Sequence, residues 1–270
     1  MEKLIITIAP TGNVPTKELN PHSPLSVKEI IADVKAAQAV GASIAHLHVR
    51  GEDLKPTSDK AIFSELLDGI YREKIDIITQ VSTGARGGEN TIDYRGQMLD
   101  LNTEMASLST GSSNFPTSIN ANTPDLIEGL ANKMLKNGIK PEIEVFDVAM
   151  IDNALKLVKK GILKDKLHFN LVMNVPGSIK GTPKNLMFLI DSLPKNSTFS
   201  ISGIGWSQVN MAAISIMMGG HVRTGLEDVI KYDRTTLATN EMLVKRIVRL
   251  AKEFGREIAT TDEARQILGL

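Results

Sequence analysis

Eight times along this chain, a short apolar run rich in β-branched residues gives way to a stretch with helical spacing, with no break in composition between them. The strand-like runs fall at residues 4–9, 43–49, 75–82, 105–109, 141–146, 167–173, 198–204 and 221–227. Between them lie helical patterns at 26–41, 59–74, 92–101, 124–137, 150–160, 182–193, 209–218 and 237–254, and Thr260 to Glu263 caps a short terminal helix. The first is typical: Ser26 and Glu29 have the spacing of a capping box, Ile30, Ile31, Val34, Ala37 and Val40 recur on one face, and Gly41 closes it. Strands alternating with helices imply a parallel sheet. Eight such units in about 250 residues is the size of a (β/α)8 TIM barrel. An open doubly wound sheet would call for a glycine-rich fingerprint after the first strand, and Ala9-Pro10-Thr11-Gly12-Asn13 is not one. The expectation is a single TIM-barrel catalytic domain spanning residues 1–270.

Composition narrows the functions open to such a barrel. Lysine plus arginine and aspartate plus glutamate balance at 31 each, so no net basic field draws nucleic acid or an anionic membrane. Cysteine is absent, which excludes disulfides and thiolate metal sites and fits a reducing interior. The apolar run at the N-terminus is too short for a signal peptide. The longest apolar stretch, around residues 211–218, is well short of the ~20 residues of a membrane span. A cytoplasmic protein is expected.

Barrel chemistry sits at the C-terminal ends of the strands, and here those ends are polar. The second strand ends in His46-Leu47-His48, two of only five histidines in the chain. Residues two apart on a strand share a face, so both imidazoles reach one point, as zinc ligands do. Ser82 ends the third strand and Ser107 and Ser109 the fourth; Glu142 and Glu144 lie on the fifth, and Glu227 and Asp228 end the eighth. Strands one and eight close the barrel beside strand two, which makes Glu227 the candidate third ligand. The alternative is that Glu227 pairs with Arg50 or Arg223. Glu144 is the other possible ligand, read instead as orienting a histidine or a substrate. Asp228 has the position of a general base with Arg223 beside it, although the spacing serves a structural ion pair at the rim equally well. Gly84, Gly87 and Gly88 could turn backbone N–H groups toward an anion. His22, His168 and His221 read as structural, and Trp206 is expected to pack on the rim.

The motifs Thr11-Gly12, His46-Leu47-His48-Val49-Arg50, Ser82-Thr83-Gly84, Glu104-Met105-Ala106-Ser107, Asn114-Phe115, residues 141–147, Gly203-Ile204-Gly205 and residues 219–228 occur in that order. Together they resemble the β-keto acid cleavage enzyme family over essentially the whole chain. The resemblance implies a zinc-dependent TIM barrel that converts a β-keto acid and acetyl-CoA into acetoacetate and a new acyl-CoA, usually as a homo-oligomer, with a tetramer favoured. It implies zinc ligation by His46, His48 and Glu227, a keto acid site lined by Ser82, Ala85 and Ser107 with Glu144 close by, and proton transfer by Arg223 and Asp228. Zinc would act there as a Lewis acid on the ketone oxygen.

One position departs from the pattern. In the family member that acts on 3-keto-5-aminohexanoate, a glutamate stands two residues after the Thr-Gly pair, within reach of the substrate amine; here that position is Val14. A desolvated ammonium needs a charged or well-placed polar partner, so a substrate without the amino group is expected. Two other readings compete: a metal-dependent hydrolase, and a barrel that binds a metabolite or CoA ester without turnover. Amidohydrolase sites place H-x-H on the first strand, whereas this pair is on the second. A pure binder has no need of His46, His48, Glu227, Arg223 and Asp228 together.

Overall fold

The structure is a computed structural model that describes residues 1–84, 88–115, 118–164 and 166–270. Eight parallel strands close into a barrel: β1 (Ile6–Ile8), β2 (Ile44–Leu47), β3 (Ile78–Val81), β4 (Met105–Ser109), β5 (Lys140–Val145), β6 (His168–Met173), β7 (Thr198–Gly203) and β8 (His221–Thr224). Each strand pairs with its sequence neighbours, and β8 returns to β1 through Ile6 opposite Val222 and Thr7 opposite Arg223. This is the expected TIM barrel.

Helices α1 (Val27–Ala39), α2 (Lys60–Arg72), α3 (Ile92–Arg95), α4 (Pro124–Asn137), α5 (Ala149–Lys159), α6 (Pro183–Ser192), α7 (Gln208–Met217) and α8 (Asn240–Glu253) follow the strands in turn. Their starts obey local chemistry. Ser26 and Glu29 form the capping box of α1, and the hydroxyls of Thr123, Thr182 and Thr239 accept backbone N–H groups at the starts of α4, α6 and α8. The helix expected over 92–101 breaks at Gly96 into α3 and a 3-10 turn, Gln97–Asp100. Two short antiparallel ribbons, Val49–Arg50 with Pro56–Thr57 and Ser113–Asn114 with Ile119–Asn120, lie outside the repeating pattern.

The interior is layered. Ile5, Ile44, Ile78 and Met105 form an apolar floor, and the last helix, α9 (Thr261–Leu268), plugs it with Ala264 and Leu268. Thr261 ties this plug in place by donating its hydroxyl to the carbonyl of Asp76. Above the floor the barrel turns polar: His46, Gln80, Ser107, Glu142, His168, Asn170, Ser202 and Arg223 are all buried. Buried polar groups are costly unless paired, so such a layer directs attention to the mouth above it. Among the described residues no helix is long and apolar enough to cross a membrane.

Candidate active site

The two histidines straddle the end of β2. His46 lies in the ladder opposite Gln80, while His48 follows the last paired residue, just before the 49–50 ribbon. Glu227 arrives from the other side of the seam. Here β8 stops at Thr224 rather than running to 227 as the pattern suggested, because the chain turns at Gly225. Gly225 has φ +147, and a β-carbon there would collide with the carbonyl of Ala9. The turn is tied down by Glu227 N–H donating to Ala9 O at 3.2 Å and Asp228 N–H donating to Gly225 O at 3.1 Å.

This geometry brings His46, His48 and Glu227 together. The His46 and His48 Nε2 atoms are 3.3 Å apart, Glu227 Oε2 is 3.7 Å from His46 Nε2, and Glu227 Oε1 is 3.4 Å from His48 Nε2. A tetrahedral zinc with bonds of about 2.0–2.1 Å separates its ligand atoms by about 3.3–3.4 Å, the spacing of the two imidazole nitrogens, and one ligand atom from each of the three residues lies within 4.8 Å of the others. Glu227 Oε2 is buried with no hydrogen-bond partner, as an atom reserved for a ligand would be. Burial, with the nearby Arg223 charge, pushes the His46 pKa down to about 4, so its ring is neutral and has a lone pair to give.

His46, Glu142 and Glu144 form a second group with metal-ligand spacing. Because His46 Nδ1 contacts Gln80 Oε1 at 2.6 Å, both groups depend on the same Nε2, and one nitrogen serves one ion. Glu142 is sealed in the interior, accepts from Asn170 Nδ2 at 3.2 Å and faces His168 Nε2 at 3.6 Å. Of the first group both His48 and Glu227 line a cavity of about 340 Å³, beside Arg223 and Asp228, whereas of the second group only Glu144 does.

Arg223 organises the charges. Its guanidinium grips Asp228 through Nε at 3.1 Å and Nη2 at 2.9 Å, reaches Glu227 Oε1 at 2.8 Å and contacts Glu144 Oε1 at 3.3 Å. Burial opposes its charge, but Asp228, Glu227 and Glu144 hold it firmly protonated. Burial pushes Asp228 up from the ordinary carboxylate range, with Arg223 opposing. Glu144 is pushed up to about 6 by burial against the same opposition, and Ser109 Oγ donates to it at 2.9 Å. Glu227 goes the other way: burial disfavours its charge, but Arg223, His48 and His46 hold it ionised. Three carboxylates thus share one guanidinium, an imbalance that a divalent cation would correct.

The remaining sequence candidates are more scattered. Ser82 lines the cavity, and Val14 stands at its mouth, 56% exposed. Ser107 is buried below, accepting the Thr83 N–H at 3.3 Å. Ala85 and Gly87 lie outside the described residues. His221 is structural as expected, its Nδ1 accepting the Ile5 N–H at 3.1 Å. Trp206 does not pack on the rim: it sits on a 3-10 turn, Gly205–Ser207, and is 72% exposed.

Sequence reasoning missed Arg95 and Gln80. Arg95, buried, donates to Thr83 O at 2.7 Å, Ala121 O at 2.9 Å and Asn122 Oδ1 at 2.8 Å, tying the loop after β3 to the chain after β4. The clue to Gln80 was a lone amide in an apolar strand, in phase with Ser82.

A closed parallel barrel with a histidine–carboxylate cluster of metal-ligand spacing and a paired arginine and aspartate at its C-terminal mouth has the architecture of a TIM-barrel enzyme with a candidate metal site. The family follows from comparison: residues 3–270 match the beta-keto acid cleavage enzyme family, and the chain belongs to it. It is 48% identical to the 3-keto-5-aminohexanoate cleavage enzyme of Acetoanaerobium sticklandii, over 100% of this chain and 99% of that one. It is 43% identical to the 3-oxoadipate:acetyl-CoA acetyltransferase of Cupriavidus necator, over 98% of this chain and 94% of that one. Among solved structures, apo ObcA aligns with a TM-score of 0.81 at 20% identity, covering 93% of this chain; the chain spans 66% of ObcA, and the likeness bears on the fold alone.

Proposed function

We propose that residues 1–270 act as one catalytic unit that condenses a β-keto acid with acetyl-CoA and releases acetoacetate and a new acyl-CoA, with zinc held by His46, His48 and Glu227. The observation that carries this reading is the cluster of those three side chains, two of which, His48 and Glu227, line the cavity, with Glu227 joined through Arg223 to Asp228. Bound zinc would supply Lewis acidity toward the ketone of the keto acid.

The chain's own residues do the rest. Asp228, held by Arg223, takes the C2 proton of the keto acid. The carbanion attacks the acetyl carbon of the thioester and expels CoA thiolate. The thiolate attacks the original ketone carbon, the adjoining C–C bond breaks, and the acetoacetate carbanion recovers the proton from Asp228. Ser82, with Ala85 and Ser107 by family resemblance, belongs to the keto acid site, and Glu144 borders it. No protein nucleophile is required.

The substrate side chain is read as uncharged. Val14, Phe146, Val172 and Ile230 make an apolar wall, and the carboxylates on the cavity floor, Glu144, Glu227 and Asp228, are all engaged by Arg223. Among the described residues the unpartnered buried acceptors lining the cavity are Glu227 Oε2, given to the metal in this reading, and Asn13 Oδ1, a neutral amide oxygen, so an ammonium entering there would meet no free carboxylate at the position of Val14. The names of the two relatives cover an amino-substituted and a dicarboxylic keto acid, so likeness at this level leaves the side chain to be chosen by residues such as Val14. The exposed Trp206 and Phe188 support a homo-oligomer, a tetramer by family resemblance, and the lack of cysteine supports a cytoplasmic setting.

The test is a panel of β-keto acids with acetyl-CoA, following acetoacetate release before and after zinc removal. Turnover of uncharged substrates that disappears with zinc and returns on its readdition is expected. Clear preference for 3-keto-5-aminohexanoate would overturn the substrate assignment, and full activity without metal would overturn the role of zinc.

A further inference from the structure

Gln80 is fully buried on β3, opposite His46 in the ladder. Its Oε1 lies 2.6 Å from His46 Nδ1, and its own Nε2 has no hydrogen-bond partner. A side-chain amide can turn either end toward an imidazole, and the two ends have opposite consequences. If the oxygen faces the ring, the ring carries its hydrogen on Nδ1 and leaves Nε2 with a lone pair. If the nitrogen faces it, Nδ1 becomes the acceptor and Nε2 carries the hydrogen.

His46 Nε2 is the atom directed at His48 Nε2, 3.3 Å away, and at the unpartnered Glu227 Oε2, 3.7 Å away. We propose that Gln80 is a positioning residue that fixes His46 as its Nδ1–H tautomer and thereby makes Nε2 a metal ligand. This inference rests on the zinc reading above.

The choice of an amide follows from the charges around it. Glu144, Glu227 and Asp228 already crowd this part of the barrel around the guanidinium of Arg223, and Glu142 is buried beside His168. A further buried carboxylate would add an uncompensated charge, whereas Gln80 accepts the Nδ1–H without one. A neutral acceptor also makes the imidazole less basic than a carboxylate would, which leaves a bound metal more electrophilic.

Two measurements test the assignment without relying on activity. Nitrogen-15 NMR of the histidines in metal-free protein reads the His46 tautomer, and competition with a chromophoric chelator reads zinc affinity. In the wild type, His46 is expected as the Nδ1–H form. Gln80→Leu is expected to lose that preference and bind zinc about 10–100-fold more weakly. Gln80→Glu, which keeps an acceptor in place, is expected to restore both. Wild-type His46 protonated on Nε2 would overturn the proposal even if the leucine variant does not fold. So would a folded Gln80→Leu that binds zinc as tightly as the wild type. A wild type with the Nδ1–H tautomer but no affinity for zinc would sink the metal reading itself, and the role of Gln80 with it.

Discussion

Gly12 lies directly against the side chain of Glu227: a β-carbon on Gly12 would stand 2.7 Å from Glu227 Cδ. Gly12 of the Thr11-Gly12 motif is therefore part of the architecture of the candidate metal site, since only a residue without a side chain leaves the carboxylate where it is. Arg50, on the short ribbon after His48, holds this loop by donating to the carbonyls of Gly12 and Pro15. Gly12→Ala should keep the barrel intact by circular dichroism, yet lower zinc retention and kcat/KM by on the order of 10-fold or more, as losing a ligand's support does. Normal zinc content after dialysis would show that Glu227 tolerates the displacement.

Asp228 accepts two parallel hydrogen bonds from Arg223; an asparagine has the same shape and keeps one acceptor while losing the other, and Asp228 is not one of the three proposed zinc ligands. Asp228→Asn should therefore retain zinc and fold normally while turnover falls about 10²–10⁴-fold, the usual cost of removing a general base. Steady-state kinetics beside metal analysis separates the two effects. A variant with near-normal kcat would assign the proton transfer elsewhere.

The capping box of α1 gives a prediction for pH. Partial burial pushes Glu29 up, but Lys17 and the N–H groups of Ser26 and Leu25 outweigh it and bring the carboxyl down to about 2. A depressed pKa contributes stability that is fully present above the ordinary glutamate value of about 4.3 and is lost as pH falls toward the folded value. Glu29→Gln should be less stable than the wild type at neutral pH. The gap should narrow between about pH 4.3 and 2, as read by denaturant melts across that window. A gap independent of pH would show that the carboxylate charge is not what stabilises the cap.

At the opposite end of the barrel, Leu268 is fully buried against the apolar floor. Leu268→Ala should cost about 2–5 kcal/mol of stability, the range for leucine truncations in packed interiors. Urea melts measure this, and a loss under about 1 kcal/mol would mean the floor collapses around the missing atoms.

The barrel itself was legible in the chain because strand and helix periodicities are local. His46, His48 and Glu227 were legible because polar residues at the ends of apolar strands have little reason to be there other than the mouth. The end of β8 was not: the strand pattern ran on to 227, and only the close approach of Gly225 to Ala9 turns the chain early. Gln80 and Arg95 were passed over because their partners, His46, Thr83 and Asn122, are set by how loops and strands meet after closure. The expectation that Trp206 would pack failed for a related reason, since one aromatic residue in a sequence does not reveal which way its loop turns.

The three candidate ligands come from β2 and from the turn after β8, the two flanks of β1, where the sheet closes on itself. An ion held there would work as a clasp across the seam, joining segments near opposite ends of the chain. Metal capture would then report completed closure: a nascent chain that has not yet emerged past Glu227 holds two imidazoles but lacks the carboxylate that completes the set.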